Sequence, residues 1–180
     1  EQVKARGGEV VLISGPTYLK PPEGVDFKSC KRADEMNDLV QEHLENCDVL
    51  VMSAAVGDFA AETLEKEKIK KQGDAGLVLK LVPTKDILLE VAKRNSGKLV
   101  VGFAAESQNL VESALAKLKK KNLDLIVAND ISAPGIGFQS DSNQVTIIDR
   151  EENMENLPLK PKREIADLLL DRILSRLKQP

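Results

Sequence analysis

Short, continuously apolar runs alternate along this chain with longer stretches of helical periodicity. The runs of strand-like length lie at residues 9–14, 48–53, 98–103, 123–128 and 144–149. Apolar residues at helical spacing occupy the segments that follow, at residues 33–46, 84–94, 110–121 and 162–178. Strands that read as unbroken hydrophobic runs are buried on both faces, which is typical of mainly parallel sheets. The pattern therefore predicts an α/β fold with helices on both faces of the sheet.

Smaller features complete the predicted organisation. Residues 1–6 read as the end of a helix that Gly7 and Gly8 terminate, residues 25–29 as a short strand, and residues 129–143 as a long polar loop. No internal repeat or low-complexity linker divides the chain. We therefore expect one domain over residues 1–180, built as a Rossmann-like, doubly wound sheet.

Composition limits the classes of partner. The 180 residues carry a net charge of −3, so no overall basic surface indicates a nucleic-acid partner. No apolar run approaches the roughly 20 residues of a membrane-spanning helix, so no membrane partner is expected. Cys30 and Cys47 lack metal-ligand spacing, and their small number suggests a cytoplasmic location. His43 is the single histidine and lies in a helical pattern, so no nucleophile–histidine–acid triad can be assembled.

Three segments that combine small and polar residues follow strand ends. They are residues 54–58, 104–106 and 129–130. Ligands of open α/β sheets bind beyond the carboxyl ends of the strands, so we expect these segments to meet at one edge. Small residues allow a ligand to approach the backbone, and carboxylates such as Asp58 can hold a ribose or a metal ion.

A lysine cluster follows the Asp58 loop and can be interpreted in two ways. Lys66, Lys68, Lys70 and Lys71 lie within six positions. Composition alone favours a solvated run that protects a sheet edge. The closeness of the run to Asp58 instead favours a clamp for phosphate groups.

A second lysine cluster, Lys117 with Lys119 to Lys121, ends a predicted helix. Lys117 and Lys121 are four residues apart and share one helix face. Because the helix dipole favours cations near the C-terminus, periodicity alone indicates a structural role for this cluster.

Two further features are compatible with a structural or a binding role. Phe103 ends a strand, where it can fill the core or stack on a base. Residues 85–88 begin a helix that Thr84 can cap, and free backbone N–H groups there can meet an anion or a base edge. The chain contains neither the G-x-G-x-x-G nor the G-x-x-x-x-G-K-[ST] phosphate loop.

Six segments in a fixed order resemble the phosphopantothenate–cysteine ligase family, the phosphopantothenoylcysteine synthetases. They are VVLISGPT (10–17), SAAVGDF (53–59), EKIKKQ (67–72), VVGFAAES (100–107), KNLDLIVAND (121–130) and GFQSDSNQV (137–145). The ordered set runs across nearly the whole chain, and AAVGDF followed by KIKK carries most of its specificity. Gly57 departs from the family pattern, in which alanine is usual.

The resemblance implies an enzyme of coenzyme A biosynthesis with three small-molecule substrates. The carboxylate of 4′-phosphopantothenate attacks the α-phosphate of CTP and releases pyrophosphate. The amine of L-cysteine then attacks the acyl-cytidylate, giving the amide and CMP. A magnesium ion and lysines would offset the charge of the triphosphate. In many bacteria the domain is the C-terminal half of a bifunctional protein, so a fused decarboxylase domain is an implied partner, with FMN expected only if that domain is present.

The resemblance also implies roles for individual residues. Lys68, the first lysine of KIKK, matches the active-site lysine and is the predicted catalytic residue. Asp58 matches a nucleotide contact, made through the ribose or through a metal ion. The other predicted nucleotide contacts are Ala54, Ala55, Lys85, Asp86, Ile87, Leu88, Phe103, Lys117 and Lys121. For the last two lysines this replaces the structural role that periodicity favours.

The family pattern begins before residue 1, with a strand, a GPT-containing loop and an Asn-rich segment. The domain is therefore expected to be N-terminally incomplete. In a sheet of order 3-2-1-4-5, residues 9–14 and 48–53 would lie on either side of the first strand. We expect these two segments not to pair with each other.

A homodimer is expected from the region between the Asp58 loop and the next helix. Segments 68–71 and 77–82 read as a small hairpin excursion joined through Gly73 and Gly76. A two-stranded hairpin is marginally stable alone and needs a surface to pack on. Family members pair, with this region near the partner's active site.

Two other functions are compatible with the sequence. A Rossmann-like NAD(P)-dependent oxidoreductase would show hydride transfer. A non-catalytic nucleotide-binding module would show no pyrophosphate release with phosphopantothenate. Within the ligase interpretation, the sequence leaves the choice between CTP and ATP open.

Overall fold

Strands and helices alternate in the computed structural model of the protein, which describes residues 1–65, 67–71, 76–94, 97–106, 109–130 and 140–178. The strands are β1 (Val11–Ser14), β2 (Asp26–Ser29), β3 (Val49–Met52), β4 (Phe59–Ala61), β5 (Leu81–Pro83), β6 (Leu99–Glu106), β7 (Leu125–Asp130), β8 (Ser142–Asp149) and β9 (Met154–Pro161). The helices are α1 (Gln2–Ala5), α2 (Ala33–Leu44), α3 (Ile87–Arg94), α4 (Leu110–Lys120) and α5 (Lys162–Leu177).

Five strands form the central sheet, in the order β3-β6-β7-β8-β9. Strands β3, β6 and β7 run parallel, and β8 and β9 extend the sheet antiparallel. Strands β1 and β2 form a separate parallel pair, and β4 and β5 form a short antiparallel pair. The fold is therefore α/β with a mostly parallel central sheet, as the sequence predicts.

Helices cover both faces of this sheet. Because successive side chains of a strand point to opposite faces, neighbouring residues enter different cores. Val100 and Ile126 pack in the core that includes residues of α2, α3 and α4, whereas Val101 and Val127 pack with residues of α5. Among the helices in the described ranges, none has the length and apolar character needed to cross a bilayer.

Gly102 in β6 allows an unusually close approach between the sheet and its covering layer. A Cβ atom at this position would lie 2.5 Å from Cδ1 of Leu123 and 3.7 Å from Cδ1 of Leu88. Leu123 and Leu88 are buried, with 1% and 6% of their surface exposed. The missing side chain of Gly102 therefore lets Leu123, which follows α4, pack closely on the sheet, with Leu88 of α3 in ordinary contact beside it.

Strands β1 and β3 belong to different sheets. Residues 11–14 and 49–52 are both described, and no backbone pairing joins them. Strand β1 pairs instead with β2, and Ile13 packs against the core beneath α2. This separation agrees with the expectation that the two strands do not pair.

The predicted pairing of segments 68–71 and 77–82 in the excursion was wrong. Residues 59–61 form β4 and pair with β5, whereas residues 68–71, an expected arm of the hairpin, form no strand. The pairing starts where both segments leave the sheet edge, since the Thr84 N–H donates to the Asp58 carbonyl at 2.9 Å. The apolar Phe-Ala-Ala segment also avoids the mutual repulsion of a lysine-rich strand. Gly73, the expected turn residue, lies outside the described residues.

The sequence pattern did not predict β9, and it set the wrong limits for the polar loop. Pro158 interrupts the pattern of β9, but proline is tolerated at the edge of a sheet, where this strand lies. Asn129 belongs to β7, and Asn143 belongs to β8. The rest of the expected loop, over residues 131–139, lies outside the described residues.

Candidate functional site

A cavity of about 440 Å³ opens at the carboxyl ends of β3, β6 and β7. Further walls come from the start of α3 and from the end of α4. The residues that line it are Met52, Ser53, Ala54, Ala55, Val56, Asp58, Thr84, Lys85, Asp86, Ile87, Leu88, Phe103, Ala104, Ala105, Lys117, Lys121 and Asn129. Each of the three segments expected at this edge contributes to the lining, so their predicted convergence is confirmed.

The predicted nucleotide contacts all line this cavity. They are Ala54, Ala55, Asp58, Lys85, Asp86, Ile87, Leu88, Phe103, Lys117 and Lys121. The predicted catalytic residue does not line it: Lys68 is exposed in the segment between β4 and β5. The fold thus brings the expected wall residues together, and the roles assigned to them stay predictions.

Two lysines are held against the cavity wall by contacts with other elements. The Lys117 ammonium group donates a hydrogen bond to the Phe103 carbonyl at 2.6 Å. The Lys121 ammonium group lies 2.9 Å from a carboxylate oxygen of Asp86, and its side chain is 17% exposed. Both cations are therefore placed at the cavity by partners on β6 and at the start of α3.

Asp86 caps α3, which corrects the prediction that Thr84 does so. The Asp86 carboxylate accepts a hydrogen bond from the Leu89 N–H at 3.3 Å. The Thr84 hydroxyl instead donates to the Gly57 carbonyl at 2.6 Å and ties the Asp58 loop to this helix. Burial alone would raise the pKa of Asp86, but Lys121 and the backbone N–H groups of Leu88 and Leu89 outweigh it, so the pKa lies below its ordinary value.

The first turn of α3 presents its backbone to the cavity. Ile87 and Leu88 have side chains buried in the core, with 3% and 6% of their surface exposed. A ligand would therefore meet these two residues through main-chain atoms, at a helix start where N–H groups lack intrahelical partners. That geometry suits an anionic group.

Besides Asp86, which is paired with Lys121, the cavity wall carries one other carboxylate, that of Asp58. It is exposed at the cavity wall, and within the described ranges no three His, Cys, Asp or Glu side chains form a metal cluster. Magnesium is commonly held by one or two carboxylates together with substrate phosphates. The residues present therefore fit a magnesium ion that arrives with a triphosphate.

Asn129 is one of several lining residues that the sequence interpretation named but did not assign to the site. Its side-chain oxygen is buried and has no hydrogen-bond partner in the part of the chain that the structure describes. The only signal in the sequence was a polar residue directly after the apolar run 123–128. Sequence alone does not distinguish such a residue from an ordinary strand terminus.

The chain is similar to a known protein family and to several known proteins. The model of the DNA/pantothenate metabolism flavoprotein C-terminal domain matches residues 1–177. The chain is 40% identical over 174 residues to the coenzyme A biosynthesis bifunctional protein CoaBC of Bacillus subtilis (strain 168), covering 96% of this chain and 43% of that protein. It is 39% identical over 173 residues to a cysteine/cysteine sulfinic acid decarboxylase of an unknown prokaryotic organism, covering 95% of this chain and 48% of that protein.

A solved structure agrees with these sequence matches. The C-terminal domain of the coenzyme A biosynthesis bifunctional protein CoaBC superposes with a TM-score of 0.84 at 33% identity, covering 100% of this chain and 80% of that chain. The chain spans less than half the length of the two curated relatives. It belongs to the family of the DNA/pantothenate metabolism flavoprotein C-terminal domain.

Proposed function

We propose that this domain joins 4′-phosphopantothenate and L-cysteine in coenzyme A biosynthesis, with CTP as the activating nucleotide. The observation that carries the proposal is one cavity in which a phenylalanine, three lysines, two carboxylates and a helix start converge. The matches to CoaBC proteins support the same assignment. For the whole protein, the proposal includes a fused decarboxylase domain, which would hold any FMN.

Activation by a nucleotide makes chemical sense for this substrate. The oxygen of a free carboxylate is a poor leaving group, so an amine does not displace it. Attack of the carboxylate on the α-phosphate of CTP forms an acyl-cytidylate and breaks the bond to pyrophosphate. Attack of the cysteine amine then forms the amide and releases CMP.

The cavity residues suit the charge of that reaction. Lys117 and Lys121 line the cavity and would contact the triphosphate, and the first turn of α3 would offer backbone N–H groups. Asp58 would hold a magnesium ion, which would neutralise phosphate charge. Donors and cations already in place stabilise charge that develops in a transition state without reorganising.

The proposal is tested with the full natural protein. Incubation with 4′-phosphopantothenate, L-cysteine, CTP and magnesium should release pyrophosphate and form phosphopantothenoylcysteine, detected by mass spectrometry. Omission of any one substrate should stop amide formation. Hydride transfer with NAD(P)H, or carbon dioxide release from cysteine without the amide product, would count against the proposal.

Substitution of Lys121 should separate its binding role from its structural role. Lys121→Met should weaken CTP binding about tenfold or more, because a charged hydrogen bond to phosphate is lost. It should also lower the free energy of unfolding by about 1 kcal/mol, since the partly exposed Asp86 loses its cation. Adding Asp86→Asn should restore stability, because asparagine can still cap α3, but not CTP affinity.

Calorimetry with CTP and chemical unfolding measure the two effects. Lys119→Met is the matched control. Lys119 lies on α4, two residues before Lys121, and does not line the cavity. Its ammonium group pairs with Glu152 at 2.6 Å. Unchanged CTP affinity in Lys121→Met would remove this lysine from the site.

The excursion between β3 and α3 carries the apolar surface that supports a homodimer. Its exposed large apolar side chains are Phe59, Leu64, Ile69, Leu77, Val78, Leu79 and Leu81. Val78 is 93% exposed, and side chains on both faces of the 77–79 segment are open to solvent. Many large exposed apolar side chains within one short stretch indicate an interaction site. We propose that a second copy covers it and that Lys68 thereby approaches the partner's cavity.

Replacing Leu77 and Leu79 together with serine should convert a dimer into a monomer. The two side chains share one face of an extended segment, and their burial against a second copy would be lost. Light scattering coupled to gel filtration gives the mass of each variant. Leu174→Ser with Leu177→Ser is the control, because these leucines are also exposed, at 42% and 45%, but lie on α5 outside the excursion. A monomeric mass for the unmodified protein well above micromolar concentration would contradict the proposal.

A further inference from the structure

Thr84 joins two walls of the cavity through a pair of hydrogen bonds. Its N–H donates to the Asp58 carbonyl at 2.9 Å, and its hydroxyl donates to the Gly57 carbonyl at 2.6 Å. Thr84 follows β5 and lies three residues before Ile87, the first residue of α3. Gly57 and Asp58 end the loop between β3 and β4. A single half-buried residue therefore holds two consecutive carbonyl groups of that loop beside the start of α3.

The hydroxyl of Thr84 makes a contact that strand pairing does not supply. The Thr84 N–H continues the antiparallel pairing of β4 with β5, in which Phe59 is opposite Pro83. The side-chain bond lies outside that ladder and holds the preceding carbonyl, at Gly57. Loop carbonyls have no partner from regular secondary structure, so a side-chain donor fixes their orientation. The Thr84 hydroxyl therefore determines the path of the main chain into Asp58.

The two walls that Thr84 joins carry complementary groups for an anionic ligand with its metal ion. Asp58 is exposed at the cavity wall and supplies the carboxylate proposed to hold magnesium. The first turn of α3 has backbone N–H groups without intrahelical partners, which suit a phosphate. Magnesium demands near-ideal octahedral geometry, so its carboxylate and phosphate ligands must be placed accurately relative to each other. The spacing between the Asp58 loop and α3 is therefore a property on which binding depends.

We propose that Thr84 is a positioning residue, whose hydroxyl fixes the Asp58 carboxylate relative to the start of α3 before a magnesium-bound nucleoside triphosphate enters the cavity. Thr84 acts through Asp58 and needs no contact of its own with the ligand. Without the hydroxyl, the ligand must order the loop as it binds, and that ordering costs affinity. The inference rests on the proposed nucleotide-dependent function and adds the residue that sets the geometry of its carboxylate.

Hydrogen–deuterium exchange of the ligand-free, full natural protein tests the positioning directly. Thr84→Val keeps the shape and the backbone N–H but removes the hydroxyl donor. Amide exchange in peptides covering residues 54–58 should become about three- to tenfold faster, the factor expected from the loss of one hydrogen bond. Thr146→Val is the matched control, because the Thr146 hydroxyl donates to Asn156 at 2.7 Å between β8 and β9 and does not line the cavity. It should leave exchange over residues 54–58 unchanged.

Titration calorimetry with CTP and saturating magnesium measures the consequence for binding. Thr84→Val should raise the dissociation constant about three- to tenfold, whereas Thr146→Val should leave it nearly unchanged. Thr84→Ser keeps the hydroxyl and should retain the unmodified affinity. Asp58→Asn removes the carboxylate that Thr84 positions. Adding Thr84→Val to Asp58→Asn should therefore have little further effect, because two residues that act as one unit are not additive.

The outcomes separate this inference from the function on which it rests. An unmodified protein that binds no CTP would overturn both. Unchanged exchange and affinity in Thr84→Val would overturn the inference and leave nucleotide binding intact. Equal losses of affinity from Thr84→Val with and without the Asp58 carboxylate would do the same. If Thr84→Val does not fold, Thr84→Ser decides: retained affinity and slow exchange support the inference, and a loss of affinity in spite of the hydroxyl overturns it.

Discussion

Lys68→Gln in the full natural protein is expected to lower turnover about 100- to 1000-fold while leaving the fold intact. Glutamine keeps a polar side chain of similar length but removes the positive charge. If Lys68 stabilises charge that develops on the phosphate, its loss raises the transition state more than the ground state. Removal of one preorganised stabilising group from other active sites costs a similar factor. Pyrophosphate release under saturating substrates measures the effect, and circular dichroism checks the fold.

The position of Lys68 makes this prediction a test of assembly as well as of chemistry. Lys68 is exposed and does not line the cavity of its own chain. Under the proposed arrangement it acts at the cavity of a second copy. Mixing Lys68→Gln protein with a variant impaired at Lys117 should therefore recover activity, because mixed dimers would contain one intact site.

Lys80→Gln supplies the matched control for Lys68. Lys80 lies in the same excursion, pairs with Glu62 at 2.6 Å and does not line the cavity, so its loss should leave turnover nearly unchanged. Turnover of Lys68→Gln within about threefold of the unmodified enzyme would remove Lys68 from the mechanism, since a group of this kind contributes far more.

Gly102→Val is expected to lower the free energy of unfolding by about 2–3 kcal/mol. Even the first added carbon would lie 2.5 Å from Cδ1 of Leu123. Leu123 is 1% exposed and enclosed by the core, so it has little space into which to move. The melting temperature should fall by roughly 5–10 °C for a chain of this size. CTP affinity should fall too, because displacement of Leu88 would move α3 away from the cavity.

Gly57→Ala is the informative comparison for Gly102. A Cβ atom at Gly57 would meet nothing closer than the Phe59 carbonyl at 3.8 Å, and its φ does not require glycine. Alanine at this position restricts the unfolded chain and should raise stability by about 0.4–1 kcal/mol. If Gly102→Val and Gly57→Ala melt at the same temperature, packing at Gly102 does not have the importance inferred from these distances.

The layered fold follows from the amino-acid pattern without any tertiary information. The run at 123–128 places Ile126 in one core and Val127 in the other. A strand buried on both faces must be apolar at every position, so the sequence alone predicts this burial. The convergence of the 54–58, 104–106 and 129–130 segments also followed from the sequence. Parallel strands connected by helices must end at the same edge, whatever their side chains are.

Which side chains meet at that edge of the sheet depends on the tertiary structure. The contact of Lys121 with Asp86 depends on how α4 and α3 pack on the sheet. It is not encoded in local periodicity, because the two residues are far apart in the chain and their distance depends on close packing at residues such as Gly102. The pairing of β4 with β5, and the helix cap at Asp86 rather than Thr84, were decided in the same way. Local propensity allows several partners, and the assembled fold selects one of them by geometry.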